Sequence, residues 1–126
     1  MSLFALHHVS IIVSDTGRAL GFYCDLLGLA VDPKRPDLGY PGAWLDINAS
    51  QQIHLLEVPN PEHGLTRPAH GGRDRHLALW CNDLDELATR LEAAGIAISR
   101  SKSGRQALFC RDPDDNAVEI MQHSLT

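Results

Sequence analysis

The chain has 126 residues, 44% of them hydrophobic, and a net charge of −5, which suffices for one domain with a core or for two small halves that share one. The acidic balance argues against a nucleic-acid partner, since a phosphate-binding surface needs basic excess, and no apolar run approaches the roughly 18 to 20 residues of a membrane span. Met1-Ser2-Leu3-Phe4-Ala5-Leu6 has neither the basic start nor the length of a signal peptide, so the expected setting is the cytoplasm. Cys24, Cys81 and Cys110 lack CxxC spacing and read as reduced, buried thiols rather than a disulfide framework or a zinc knuckle.

The residues from Phe4 to Val13, with Val9, Ile11, Ile12 and Val13 in a short run, predict a strand. Asp15 then suits a helix N-cap, Ala19, Phe22, Tyr23, Leu26 and Leu27 recur on one helical stripe, and Gly28 closes the helix. Leu29 to Val31 starts a second strand, and the Pro- and Gly-rich run from Asp32 to Gly42 is a loop. Two strands follow, Ala43 to Ile47 and Gln52 to Val58, joined by the turn Asn48-Ala49-Ser50. Pro59 to Gly72, with three prolines and three glycines, reads as a linker extending to about residue 73.

The second half, from about residue 74, replays the first. A strand from Arg75 to Cys81 leads to a helix with Asp83 as N-cap, Glu86 in capping-box position, the stripe Leu84, Leu87, Ala88 and Leu91, and Gly95 as the stop. Strands at Ile96 to Ser99, Gln106 to Cys110 and Ala117 to Gln122 complete it, with turns at Ser101 to Gly104 and Arg111 to Asn116. A shift of 68 lays His76 on His8 and Asp83 on Asp15, while a shift of 65 lays Phe109 on Trp44, Val118 on Ile53 and Glu119 on His54. Both halves therefore predict a βαβββ module, and the fold class is α+β with a mixed sheet built from two such modules.

The repeat turns four residues into one hypothesis. His8, His54, His76 and Glu119 occupy matched positions, and neutral imidazoles with a carboxylate suit a divalent ion while leaving positions open for substrate or water. Iron, manganese, nickel, cobalt and zinc all fit such a set. Strand alternation puts Ser10 on the face of His8, Trp80 on that of His76, and Met121 on that of Glu119, which makes them candidate substrate contacts. His7, next to His8, points to the other face; His63, His70 and His123 are not expected as ligands. Asp112-Pro113-Asp114-Asp115-Asn116 lacks the glycine and distal Glu of a calcium loop and is a turn. Positive charge concentrates in the second half at Arg67, Arg73, Arg75, Arg100, Lys102, Arg105 and Arg111. Scattered solvated charge is the bland reading of it, and an anionic small molecule near Arg105 the functional one.

His8-Val-Ser-Ile-Ile-Val-Ser-Asp15, Phe22-Tyr23 leading to Leu27-Gly28-Leu29, His76-Leu-Ala-Leu, Leu91-Glu-Ala-Ala-Gly95 and Phe109-Cys-Arg-Asp-Pro-Asp-Asp-Asn-Ala-Val-Glu119 resemble the vicinal-oxygen-chelate superfamily. That group includes glyoxalase I, fosfomycin-resistance proteins, extradiol dioxygenases and bleomycin-binding proteins. The resemblance covers nearly the whole chain, residues 1–126 as a single glyoxalase-like domain. It implies a sheet cupped around a metal, a homodimer, and His8, His54, His76 and Glu119 as ligands. It further implies a metal-dependent enzyme of lyase or isomerase type acting on a small substrate with neighbouring oxygens, Glu119 and then His54 being the candidate proton carriers. An extradiol-type dioxygenase, a thiol transferase acting on an antibiotic with Arg105 near a phosphonate, and a metal-free binding or resistance protein are the alternatives. Two departures stand out: glyoxalase I generally has Glu where this chain has His54, and the family usually has Gly where this chain has Asp115.

Overall fold

Each copy of the repeat folds as a strand, a helix and three further strands. The computed structural model describes residues 3–123, and the chain divides into two units, up to His63 and from Gly64 onward. That boundary falls inside the expected linker. In the first unit β1 (His8–Ile12) is followed by α1 (Thr16–Leu20), which runs on as a π-helical segment (Gly21–Leu26), and then by β2 (Ala30–Val31), β3 (Gly42–Asp46) and β4 (Gln52–Leu56). The sheet order is β1-β4-β3-β2, with β1 parallel to β4 and the other pairs antiparallel. The second unit has β5 (His76–Cys81), α2 (Leu84–Ala93), β6 (Ser99–Arg100), β7 (Ala107–Arg111) and β8 (Ala117–Gln122), in the order β5-β8-β7-β6 with the same parallel and antiparallel pattern.

Alternate strand positions supply one apolar layer in each sheet. In the first unit Ile11, Ala43, Leu45, Ile53 and Leu55 are buried together with Ala19, Phe22 and Tyr23 of the helix. In the second, Leu108, Cys110, Val118 and Ile120 are buried with Leu84, Leu87, Ala88 and Leu91. Each fully buried large side chain is worth about 1.5–3 kcal/mol of apolar transfer, so these two layers dominate the stability of their units. All three cysteines are free thiols, but only Cys110 is buried, Cys24 and Cys81 being half-buried; burial first, then Asp112, pushes the Cys110 thiol up to about 12.

Both helices start and stop as their sequences predict. Asp15 Oδ1 accepts from the N–H of Arg18 (3.0 Å) and Asp83 Oδ1 from that of Glu86 (3.1 Å). The Glu86 carboxylate turns to Arg90, 3.3 Å away, rather than back to the cap. Gly28 (φ +83°) and Gly95 (φ +80°) end the helices in the left-handed region, where a Cβ is strained. The first helix differs from a plain α-helix at its end: the N–H of Leu27 reaches Phe22 O (3.0 Å), and this wider turn accompanies the burial of both neighbours, Phe22 and Tyr23. The expected strand at Ile96 to Ser99 is displaced, because the N–H of Ile96 is used to close the helix on Leu91 O (2.9 Å). Only Ser99 and Arg100 reach the β7 ladder.

Asp115 is the one non-glycine with positive φ (+64°) among the described residues. Aspartate tolerates this region better than most residues but still carries strain there, whereas glycine does not. Replacing it should therefore relax the turn, offset in part by a freer unfolded chain. Asp115→Gly is expected to raise stability by about 0.5 kcal/mol, read as a higher urea midpoint at unchanged slope. Arg111 binds the backbone carbonyl of residue 115, so that bond survives the change.

Candidate metal centre

His8, His54, Ser10 and Trp44 share one face of the first sheet and His76, Glu119 and Phe109 one face of the second, with His54 and Glu119 themselves buried, and the strand register shows how closely the halves match. His54 pairs with Ser10 on one side and with Trp44 on the other. Glu119 pairs with Ala78 and Phe109. Ser10 lies two residues after His8, and Ala78 two residues after His76, so His54 and Glu119 hold the same sheet position relative to their strand-opening histidines. Behind them the match continues: Glu57 Oε1 accepts from the Thr16 N–H (2.7 Å), as Gln122 Oε1 does from the Leu84 N–H (2.9 Å). Each helix start is thus tied to the residue three places beyond His54 or Glu119.

In the second unit the donors face one another. The His76 Nδ1 donates to the backbone carbonyl of Asp74 (2.9 Å), which leaves the neutral ring's lone pair on Nε2. That atom stands 3.3 Å from Glu119 Oε1. Two electron-pair donors at this spacing are satisfied by a proton or a cation. Ligands about 2.1 Å from a common ion stand roughly 3.0–3.4 Å apart, so the pair fits a divalent metal, with Asp74 O as the outer partner that orients the imidazole. Glu119 is 4% exposed, and its other oxygen receives Arg105 Nη2 at 3.1 Å. Arg105 also reaches Met121 Sδ (3.7 Å) and Ser103 Oγ (3.0 Å). Trp80 opposes Met121 in the register and is 64% exposed. His76, Glu119, Arg105, Met121 and Trp80 therefore share one face, and Phe109 packs its ring edge-on to His76 (5.5 Å).

The first unit is built differently. The rings of His8 and His54 stack at 3.8 Å and 14°, and Trp44 stacks on His54 at 4.6 Å and 10°. Stacked imidazoles hold their lone pairs in parallel planes, so this pair does not converge as His76 and Glu119 do. Its donor set still suits a divalent ion, because both rings are imidazoles on the same sheet face. Burial first, then the neighbouring His8, His7 and Arg35, hold His54 below the ordinary histidine value against a smaller pull from Asp32. The ring is therefore neutral at pH 7, the form a metal requires. Ser10 lies beside it in the register. His7 does not point away: its Nδ1 is 2.8 Å from His8 Nδ1. The strand begins at His8, so strand alternation does not reach His7.

Sequence reasoning missed the polar support of His54. Its Nε2 is 2.8 Å from Gln52 Oε1, and the Gln52 amide donates to Asp32 Oδ2 (2.8 Å) and Asp46 Oδ1 (2.9 Å). Asp46 opposes Gln52 across β3 and β4, and the i, i+2 spacing of Gln52 and His54 was the available signal. The Lys34 N–H first, and the Gln52 amide next, keep Asp32 below the usual carboxylate range. His70 has a local job, its Nδ1 accepting from the N–H of Gly72 (3.0 Å). Among the described residues no three His, Cys, Asp or Glu side chains gather to hold a metal, and no helix is long and apolar enough to cross a membrane.

Residues 5–120 match the family model described as the Glyoxalase/Bleomycin resistance protein/Dioxygenase superfamily. The chain is 32% identical to Glyoxylase I 4 of Arabidopsis thaliana, over 95% of this chain and 71% of that protein. It is also 32% identical to the uncharacterized protein YwkD of Bacillus subtilis, over 97% and 99% of the two chains. Among solved structures, the trypanothione-dependent glyoxalase I of Leishmania major aligns with a TM-score of 0.72 and 25% identity over 94% of this chain and 86% of that one. With the α+β architecture, the doubled module and these matches in agreement, the chain belongs to the glyoxalase/bleomycin resistance protein/dioxygenase superfamily.

Proposed function

We propose that the protein is a divalent-metal-dependent enzyme of lyase or isomerase type, acting on a small substrate with neighbouring oxygens, with His8, His54, His76 and Glu119 as its ligand set. The observation that carries this reading is the shared register position of His54 and Glu119 relative to His8 and His76. The similarity to a protein named Glyoxylase I 4 supports the reaction class. When bound, the ion supplies Lewis acidity toward a substrate oxygen on which negative charge develops. Glu119 is the proton acceptor, since its carboxylate is buried on the candidate face, and His54, neutral at pH 7, is the second candidate. Arg105 offers a guanidinium to an anionic substrate group, with Trp80 and Met121 as the substrate contacts on its own face and Ser10 the contact beside His54. A cytoplasmic homodimer completes the proposal.

Two readings of the same superfamily compete with it. Oxygen uptake with a catechol panel would mark a dioxygenase, and isomerisation of a glutathione hemithioacetal would mark a glyoxalase. The expected result is isomerase turnover with no oxygen uptake. Elemental analysis of protein purified without added metal, followed by titration with zinc, manganese and nickel, decides the prior question. One ion per chain is expected; a chain that carries none and takes up none is a binding protein, and the enzyme reading fails.

A further inference from the structure

The chain of contacts behind His54 determines which of its nitrogens can act. The ring plane is set by stacking, with His8 on one face (3.8 Å) and Trp44 on the other (4.6 Å). Stacking does not distinguish the two orientations of the imidazole related by a half-turn about its bond to Cβ. Gln52 does. Its amide nitrogen lies 2.8 Å from Asp32 Oδ2 and 2.9 Å from Asp46 Oδ1; carboxylates only accept, so this atom must be the NH2 group. The amide oxygen is thereby forced toward His54 Nε2, 2.8 Å away. An oxygen there requires an N–H, so Nε2 carries the proton and Nδ1 holds the lone pair.

We infer that Asp32, Asp46 and Gln52 form a positioning clamp that locks His54 in the Nε2–H tautomer, so that His54 meets a metal or an acidic substrate proton through Nδ1 alone. The opposite arrangement holds at His76, whose Nδ1 is bonded to Asp74 O and whose Nε2 faces Glu119. The two halves, matched in register, thus present different imidazole atoms. Part of this inference rests on the proposed function, namely that His54 belongs to the working site, but the tautomer itself does not.

Long-range 1H–15N spectra of the full chain, histidine-labelled and metal-free at neutral pH, test the clamp. His54 should show one tautomer, with Nε2 of the protonated pyrrole type and Nδ1 of the pyridine type. In Asp32→Asn/Asp46→Asn the amide of Gln52 is no longer compelled to face one way, and in Gln52→Leu the acceptor is gone; both should give a mixture. The fold is checked from the amide spectrum, and if Gln52→Leu loses it the double asparagine variant carries the comparison. A wild-type His54 that is mixed, or protonated on Nδ1, overturns the clamp, as does an unchanged single tautomer in the variants. Zinc titration then reads the ligand atom: His54 Nδ1 should shift while Nε2 keeps its proton. Loss of the Nε2 proton on zinc binding overturns the assignment to Nδ1. If zinc moves none of His8, His54 and His76, the metal reading fails, and with it the Nδ1 assignment to a metal, while the metal-free spectra still decide the clamp.

Discussion

Glu119→Gln is expected to abolish turnover and to weaken divalent metal binding by more than about 100-fold, in a chain that stays folded. Removing a partner that merely orients a ligand typically costs 10- to 100-fold in metal affinity, and deleting a direct ligand should cost more. Removing a general base costs a further roughly 10²–10⁴ in rate. Glutamine is nearly isosteric and keeps an oxygen able to accept from Arg105, now 3.1 Å from Glu119 Oε2. Arg105 is 60% exposed, so the lost ion pair is solvent-screened and contributes little to stability. The measurements are a metal titration, turnover at saturating metal, and a thermal melt. Full-affinity binding of one equivalent would remove Glu119 from the ligand set. Retained turnover would remove it as the proton acceptor. His76→Ala separates the two roles, since it should cost metal affinity while leaving the Glu119 carboxylate in place.

Local pattern carried most of the fold. The short apolar, β-branched runs between turn residues, the Asp15 and Asp83 caps, and Gly28 and Gly95 are all short-range signals, and each element they predict is present within a few residues. Short strands at the ends of helices were less legible. Ile96 and Ile98 have strand character, but one backbone N–H cannot serve both the helix end and the sheet, and the helix end takes it. The ligand-type residues were legible because they repeat: Glu119 is unremarkable until it lies over His54. What supports them does not repeat, and so it was invisible. Gln52 corresponds in register to Ala117, since each sits opposite the strand-opening histidine, and the polar clamp of the first unit has no counterpart there. Asp32 and Asp46 come to Gln52 only through the pairing of β2, β3 and β4, which a single sequence fixes too loosely to read. The outer partner of His76 is a backbone carbonyl, which no residue type announces.

Arg111→Ala is expected to cost about 3 kcal/mol, the usual scale for removing one member of a largely buried ion pair and leaving the other charge uncompensated. The guanidinium of Arg111 binds Asp74 Oδ2 (2.8 Å), the carbonyl of Asp115 (2.7 Å) and that of Pro68 (2.6 Å). It thereby ties three separate stretches of the second unit together. The Asp74 side chain is 6% exposed and Arg111 21%, so water cannot readily replace the arginine. Arg67 is also near Asp74, at 3.4 Å, and keeps the loss below the top of the usual range. The same pair has an acid signature. The hydrogen bond from Arg111 is the main cause holding the Asp74 carboxyl below the ordinary aspartate value, about 3.9. A carboxyl depressed on folding stabilises the folded state above that value, and the contribution disappears as pH falls through the lower folded one. Urea midpoints taken from pH 7 downward should therefore fall in the wild type as pH drops below about 4. In Arg111→Ala the midpoint should start lower, and its loss over that acid window should be smaller. Equal slopes in the two proteins would show that Arg67, rather than Arg111, holds the Asp74 charge. Asp74 also supplies the carbonyl that orients His76, so loosening this corner should weaken metal binding as well, by the 10- to 100-fold typical of a lost outer partner.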